Sequence, residues 1–107
     1  MKVLLDENIP KKVKLDFGAE YQVKTTQELG WGGKSNGELL GLLTLNDFEV
    51  FITVDKNLKH QQNIKKFSVT IFVLDAKDNR HSTIQPLIDK VKSHLDKDLK
   101  KEIIEIK

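Results

Sequence analysis

The chain has 107 residues, a length typical of one domain, and its 18 Lys and Arg against 16 Asp and Glu leave a formal charge of +2. This balance excludes the strongly basic proteins whose affinity depends mainly on phosphate contacts. The absence of Cys excludes disulfides and thiolate zinc sites. No apolar run approaches the roughly 18 residues of a membrane span. We therefore expect one domain over residues 1–107 that is cytoplasmic and makes no membrane contact.

The strand and helix signals alternate along the chain. In chain order, the predicted elements are a strand at 2–6, a short helix from 9 to about 15, a strand at 20–24 near a sheet edge, a helix from 35, a strand at 49–54, a loop or short helix at 57–66, a strand at 68–74, a helix capped by Ser82 or Thr83, and a strand at 102–106. Such alternation is typical of a parallel sheet covered on both faces. The sequence predicts an α/β protein, a single-domain α/β/α sandwich with a mainly parallel twisted sheet.

The two longer helices carry distinct signals. Ser35 and Glu38 have the spacing of a capping box, and the leucines at 39, 40, 42, 43 and 45 supply an apolar face. In the last helix, apolar residues recur at helical spacing at 84, 87, 88, 91 and 95. Pro86 would lie in the first turn of that helix, where proline is tolerated.

Three short apolar runs, each followed directly by Asp, are the main functional signal. The runs and their acids are Val3–Leu5 with Asp6, Val50–Val54 with Asp55, and Val69–Leu74 with Asp75. Open α/β sheets bind ligands outside the carboxyl ends of their strands, which is where these acids should lie. The pattern therefore indicates an acidic site at one end of the sheet.

Carboxylates gathered at one place repel one another, and a divalent cation relieves that repulsion. Mg²⁺ and Mn²⁺ favour hard oxygen ligands, and such an ion near a phosphodiester can activate water and offset developing charge. We expect Asp6, Asp55, Glu38 and Asp75 to be its ligands, the first three being the catalytic candidates. Thr53 precedes Asp55 by two residues, so it points to the same sheet face and could bond that carboxylate.

Each acid also has a purely structural interpretation. Asp6 could cap the following helix, and Asp55 and Asp75 could be turn residues. Glu38 could serve only its capping box.

Besides Thr53, four residues are candidates for binding a substrate. Lys56 and Arg80 could hold phosphates or be ordinary surface residues. Trp31, which lies among three glycines, could stack a base or pin its loop to the core. Asn8 follows the first acidic pair and completes the set.

Several motifs occur in a familiar order. They are Val-Leu-Leu-Asp6-Glu-Asn8, Glu28-Leu-Gly-Trp31, Ser-Asn36-Gly-Glu38-Leu-Leu, Thr53-Val-Asp55-Lys56-Asn and Gln61-Gln62-Asn63. In this order and spacing the chain resembles the short PIN-like proteins of bacteria, relatives of the PIN-domain (VapC-type) toxin ribonucleases. The resemblance implies a parallel α/β/α sheet and an acidic pocket that binds Mg²⁺ or Mn²⁺ and cuts RNA.

The resemblance also assigns residues and partners. Asp6 matches the first-strand acid of the family, Glu38 the helix acid, and Asp55 the acid of the Thr/Ser-x-Asp strand end. The fourth acid has no clear counterpart, and Asp75 or Asp78 stands in its place. The family further implies an antitoxin partner and a homodimer.

Two alternatives remain open from the sequence. Asp6-Glu7 and Asp55 resemble the acids of a receiver-like phosphoacceptor, although Asp75 stands where a receiver has Ser or Thr. The other alternative is a PIN-like module that binds a partner without catalysis.

Overall fold

The structure is a computed structural model and describes residues 1–60, 67–97 and 99–107. In chain order its elements are β1 (Lys2–Leu5), a first 3₁₀ helix (Lys11–Asp16), β2 (Gln22–Thr25), α1 (Asn36–Leu45), β3 (Val50–Thr53), a second 3₁₀ helix (Lys56–His60), β4 (Thr70–Leu74), α2 (His81–Leu95) and β5 (Ile103–Ile106). The Gln61-Gln62-Asn63 motif, and with it most of the loop or short helix predicted at 57–66, lies outside the described residues. No helix in the described ranges is long and apolar enough to cross a membrane.

The five strands form one parallel sheet in the order β2-β1-β3-β4-β5. The predicted parallel sheet is therefore confirmed, including β2 at an edge. From β1 the chain first goes to β2 on one side and then returns through α1 to β3 on the other side. The direction in which successive strands are added to the sheet thus reverses between β1 and β3. In sheets with this strand order, ligands bind outside the carboxyl ends of the strands at that switch point.

Two apolar layers cover the sheet, as the predicted sandwich requires. Alternate strand residues point to opposite faces, so Val3 and Leu5 join one cluster while Leu4 joins the other. The first cluster includes buried side chains of α2 and the first 3₁₀ helix. The second includes buried leucines of α1 and Leu58 of the second 3₁₀ helix. Both faces of the sheet are buried, which explains why its central strands are continuously apolar.

The predicted capping box of α1 is present. The Ser35 hydroxyl accepts a hydrogen bond from the Glu38 N–H at 3.3 Å, and Glu38 Oε1 accepts one from the Ser35 N–H at 3.2 Å. The predicted apolar face is correct for Leu39, Leu40 and Leu43, which are buried. It is wrong for Leu45, whose side chain is 80% exposed.

The core face of α2 is as predicted, but its start is not. Ile84, Leu87, Ile88, Val91 and Leu95 are all buried. The helix begins at His81 with Arg80 as its N-cap, rather than at a cap formed by Ser82 or Thr83. Thr83 lies in the first turn, where its N–H bonds the Arg80 carbonyl at 3.0 Å and its side chain bonds Asp78, so neither Ser82 nor Thr83 is the N-cap. Pro86 consequently lies inside the helix and not in its first turn.

The helix predicted from residue 9 is shorter and tighter in the structure. It is a 3₁₀ helix that begins at Lys11, and Pro10 is its N-cap. Val13 and Phe17 are buried as the apolar spacing predicted, whereas Leu15 is 82% exposed.

Replacing Ser35 with Ala should lower the free energy of unfolding by about 1 kcal/mol, because the N-terminus of α1 loses its side-chain acceptor. Urea denaturation measures this difference. Ser35→Thr keeps the hydroxyl and is the matched control. An unchanged midpoint for Ser35→Ala would show that the cap adds nothing to stability.

Candidate functional site

The candidate site lies where β1 and β3 end side by side. Leu5 is paired with Ile52 in the sheet, and the Asp6 N–H donates to the Ile52 carbonyl at 2.9 Å. This register brings Asp6, the first residue after β1, beside Thr53, the last residue of β3. The site therefore occupies the switch point of the sheet.

Thr53 connects the two acids of the site. Its side chain is fully buried, and its hydroxyl donates to Asp6 Oδ2 at 2.7 Å. The Thr53 hydroxyl oxygen also accepts a hydrogen bond from the Asp55 N–H at 3.0 Å. The sequence predicted that Thr53 would bond the Asp55 carboxylate. Instead, it bonds the Asp6 carboxylate and the Asp55 backbone.

Asp6 is a buried acid in a partly acidic environment. It is 7% exposed, and its Oδ1 accepts a hydrogen bond from the Glu7 N–H at 2.9 Å. Burial raises the pKa of Asp6, and the nearby carboxylates of Glu7 and Asp55 raise it further. The hydrogen bonds from Thr53 and Glu7 oppose that rise in the pKa without reversing it. Ionised Asp6 is thus held in a position that penalises its charge.

Asp55 is fixed from two sides. The Asn36 side-chain amide donates to Asp55 Oδ2 at 3.2 Å, and the Asn57 N–H donates to Oδ1 at 3.0 Å. Asn36 is the first residue of α1, so the Ser35 cap also positions this contact. We assigned Asn36 no role from the sequence. The sequence feature that could have pointed to a site role for Asn36 is its position at the predicted start of a helix, directly after Ser35.

Glu38 uses its carboxylate for the cap of α1. Its Oε1 accepts from both the N–H and the hydroxyl of Ser35, and these hydrogen bonds lower the pKa of Glu38. Within residues 1–60, 67–97 and 99–107, no group of three or more His, Cys, Asp or Glu side chains is arranged to hold a metal ion. The role of Glu38 as a catalytic residue or ligand stays a prediction.

The donor set of Asp6 and Asp55 fits a hard divalent cation. Each of their four carboxylate oxygens accepts one hydrogen bond from the described residues. A carboxylate oxygen has two acceptor positions, so each can still bind a ligand. Mg²⁺ commonly binds proteins through one or two carboxylates and retains water. Asp6 and Asp55, which follow two neighbouring strands, are therefore of the ligand type that such an ion uses.

Lys56 and Asp75 form an ion pair with each other. The pair joins the second 3₁₀ helix to the end of β4. The hydrogen bond and charge of Asp75 raise the pKa of Lys56. The two side chains are 54% and 39% exposed, so water screens their attraction. The proposed roles of Asp75 as a ligand and Lys56 as a phosphate contact stay predictions.

The remaining substrate candidates have clear positions. The Trp31 ring packs edge-to-face on Phe48 with ring centroids 5.8 Å apart, and the Trp31 backbone N–H donates to the Thr26 carbonyl at 2.8 Å. These contacts pin the Gly-rich loop, which agrees with the structural interpretation of Trp31. Asn8 is exposed in the turn after Asp6, and Arg80 is exposed at the start of α2.

Comparisons with protein-family models, with curated proteins and with solved structures find no match to this chain. The resemblance to PIN-like proteins therefore rests on the motifs in the sequence.

Replacing Asp6 with Asn should change how stability depends on pH in metal-free buffer. Because the folded pKa is raised, the contribution of Asp6 is fully present below its unfolded value near 3.8 and is lost as the pH rises through the folded pKa. Relative to wild type, Asp6→Asn should therefore gain free energy of unfolding as the pH rises through this window.

Urea denaturation at a series of pH values gives this difference. Asp89→Asn, on the exposed side of α2, is the control for the loss of one negative charge. The same pH trend in both variants would contradict a specific effect of the Asp6 environment.

Proposed function

We propose that the chain is a metal-dependent endoribonuclease that uses Mg²⁺ or Mn²⁺ held by Asp6 and Asp55. The observation that carries the proposal is the joining of these two acids through buried Thr53 at the switch point of the sheet. Asp6 is ionisable and buried, its pKa is raised mainly by that burial and further by the carboxylates of Glu7 and Asp55, and such perturbed groups in ligand positions are typical of functional sites.

Hydrolysis of a phosphodiester requires a nucleophilic water and relief of charge on the phosphate oxygens. A bound divalent ion supplies both, because it lowers the pKa of a coordinated water and offsets the developing negative charge. The protein would contribute by holding the two carboxylates in fixed positions. Thr53 holds Asp6, Asn36 holds Asp55, and the N–H groups of Glu7 and Asn57 fix the other oxygen of each carboxylate.

The RNA substrate comes from the resemblance to PIN-like proteins, as does the suggestion that the chain is the toxin of a toxin–antitoxin pair. The exposed positions of Asn8 and Arg80 suit contacts to an extended polymer. Lys56 would reach phosphate most readily by leaving its ion pair with Asp75. Trp31 is half-buried, so base stacking would use only its accessible part.

A receiver-like phosphoacceptor is the second candidate, because the strand order β2-β1-β3-β4-β5 is shared with that fold. Asp6 and Glu7 would then hold the ion and Asp55 would accept the phosphoryl group. Asp75 follows β4 and pairs with Lys56, which weakens this alternative. An inactive binding module of the same fold would retain the acids without cleaving RNA.

Wild-type protein should cleave RNA in Mg²⁺ or Mn²⁺, and chelation should abolish the activity. Asp6→Asn and Asp55→Asn should remain folded and lose both metal binding and cleavage, because each loses ligand charge with little change in shape. Cleavage of a labelled RNA and a Mn²⁺ titration measure the two effects, with Asp89→Asn as the control. If Asp6→Asn cleaves as fast as wild type, the activity arises elsewhere.

Phosphorylation of Asp55 by a small phosphodonor, without RNA cleavage, would favour the receiver-like alternative.

Thr53→Val should reduce metal affinity or cleavage by about 10–100-fold, the usual cost of removing a group that orients a ligand. Thr53→Ser keeps the hydroxyl and should retain most of the activity. Glu38→Gln can keep the capping box, because Gln also serves at this position. This variant therefore tests whether Glu38 binds the metal without disturbing the start of α1. Unchanged Mn²⁺ affinity in Glu38→Gln would remove Glu38 from the ligands, whereas equal losses in Thr53→Val and Thr53→Ser would contradict a positioning role for the hydroxyl.

Asn36→Asp should strengthen the metal site, because it places a third carboxylate beside Asp55. Without metal this variant should melt below wild type because the carboxylates repel one another. With Mn²⁺ its melting temperature should rise more than that of wild type. Asn79→Asp adds the same charge in an exposed loop and is the matched control. Equal Mn²⁺-dependent shifts in the two variants would contradict a cation site at Asp55.

A further inference from the structure

Asn36 and Gly37, the first two residues of α1, form a reactive pair. Of all the Asn residues in the sequence, only Asn36 is followed by Gly. An Asn side chain can react with the backbone nitrogen of the next residue, and Gly leaves that nitrogen accessible because it has no Cβ. A Cβ built at Gly37 would meet no atom within 4 Å, so the space beside this residue is open.

The Gly37 N–H lies outside the helical hydrogen bonds of α1. The first N–H groups of an α-helix have no acceptor within the helix. In α1 the backbone pattern begins with the Leu39 N–H, which donates to the Ser35 carbonyl at 2.9 Å. The Ser35 hydroxyl accepts from the N–H of Glu38 rather than from that of Gly37. The Gly37 nitrogen can therefore lose its proton without breaking a helical hydrogen bond.

The charges around the Gly37 nitrogen act in both directions. Loss of the amide proton leaves a negative nitrogen, which the partly positive N-terminus of α1 and the neighbouring Lys34 stabilise. The carboxylates of Glu38 and Asp55 oppose it, although Glu38 is turned back onto Ser35. These opposing charges partly cancel, so the conformation of the first turn decides whether the pair reacts.

The folded first turn of α1 restrains the reaction. A helical side chain points toward the N-terminus of its helix, away from the nitrogen of the next residue. The Asn36 amide is also held by Asp55 Oδ2 at 3.2 Å. The reaction therefore requires the first turn to open. Helix ends open at the lowest cost, and Gly37 and Gly41 lower the helix propensity of α1 further.

We propose that Asn36 is a spontaneous modification site, at which a cyclic imide with Gly37 converts the amide donor of Asp55 into a carboxylate. The Gly37 nitrogen gives its proton to water and forms a bond to Asn36 Cγ. The bond from Cγ to Nδ2 then breaks, and Nδ2 leaves as ammonia. Water opens the imide at Cγ to give aspartate, or at the backbone carbonyl to give isoaspartate. The net change is the addition of water and the loss of ammonia.

This modification would change the acidic site. The Asn36 amide donates to Asp55, whereas an ionised carboxylate in its place can only accept. The new carboxylate repels Asp55 unless a cation lies between them, so a third acid should favour a divalent ion. The gain in cation binding rests on the proposed function, whereas the modification itself does not.

Peptide mapping by mass spectrometry, after incubation of the folded chain at neutral and mildly alkaline pH, measures the reaction at each Asn. Asn36 should be modified ahead of Asn8 and Asn79, which are exposed but precede Ile and Arg. The rate should rise with pH, because the reaction begins with the loss of a proton. Modification of Asn36 no faster than that of Asn8 and Asn79 would overturn the proposal.

Two pairs of variants test whether the first turn of α1 controls the reaction. Ser35→Ala should raise the rate at Asn36 about fivefold, since loss of an N-cap favours opening by roughly that factor. Ser35→Thr keeps the hydroxyl and should stay close to wild type. Gly37→Ala should lower the rate by about fivefold or more, because Ala favours the helix and shields the nitrogen. Gly41→Ala adds the same methyl group in open space and should lower the rate less. Equal effects of the two Gly changes would overturn an attack by the Gly37 nitrogen.

The modified protein also tests the consequence for cation binding. It carries one more negative charge, so ion exchange separates it from unmodified protein. The aspartate fraction should gain melting temperature with Mn²⁺ as Asn36→Asp does, and by more than unmodified protein. Modified and unmodified protein with the same response to Mn²⁺ would contradict the cation site at Asp55, while the change in mass would still support modification at Asn36.

Discussion

Thr53 is completely buried at the end of β3, where its hydroxyl donates to Asp6 and accepts a hydrogen bond from the Asp55 N–H. Asp6 and Asp55 are far apart in the sequence, and the Thr53 hydroxyl oxygen forms a hydrogen bond to each of them. Because β1 and β3 are adjacent and parallel, the contact fixes the chain directly after each strand. The position of Asp55 then determines which amide of α1 can reach it, and Asn36 does so. The local structure around the switch point depends on this one buried hydroxyl.

The electrostatic environment of Asp6 differs from that of acids with a clear structural role. Asp16 lies 2.8 Å from the His81 ring, and Glu28 forms a 2.9 Å ion pair with Lys14. Those pairs tie the first 3₁₀ helix to α2 and to the loop after β2. Asp6 has a hydroxyl and an N–H as partners, and its burial raises its pKa, with smaller contributions from the carboxylates of Glu7 and Asp55. An arrangement that costs stability in the absence of a cation is typical of a site kept for a ligand.

The sequence predicted the fold well because burial on both faces leaves a strong local pattern. Short apolar runs between amphipathic segments specified the strands, and Ser35 with Glu38 specified the start of α1. The predicted start of α2 was wrong because Thr83 lies within the first turn, where its side chain bonds Asp78 instead of acting as the N-cap. For the site, the strand-end acids were evident, but the partners of Thr53 and Asn36 depend on strand order. The Thr53–Asp6 and Asn36–Asp55 contacts could not be read from spacing along the chain, since each links residues far apart in sequence.

Anomalous diffraction from crystals soaked in Mn²⁺ tests the central claim, that Asp6 and Asp55 form one cation site organised by Thr53. The account predicts a single strong peak bonded to oxygens of both carboxylates, with the Thr53 hydroxyl retained on Asp6. Mg²⁺ sites use oxygen ligands of the same kind, so Mn²⁺ is a valid probe. A peak bound to Glu38 without Asp6, or no peak near β1 and β3 in crystals that bind Mn²⁺ elsewhere, would contradict it.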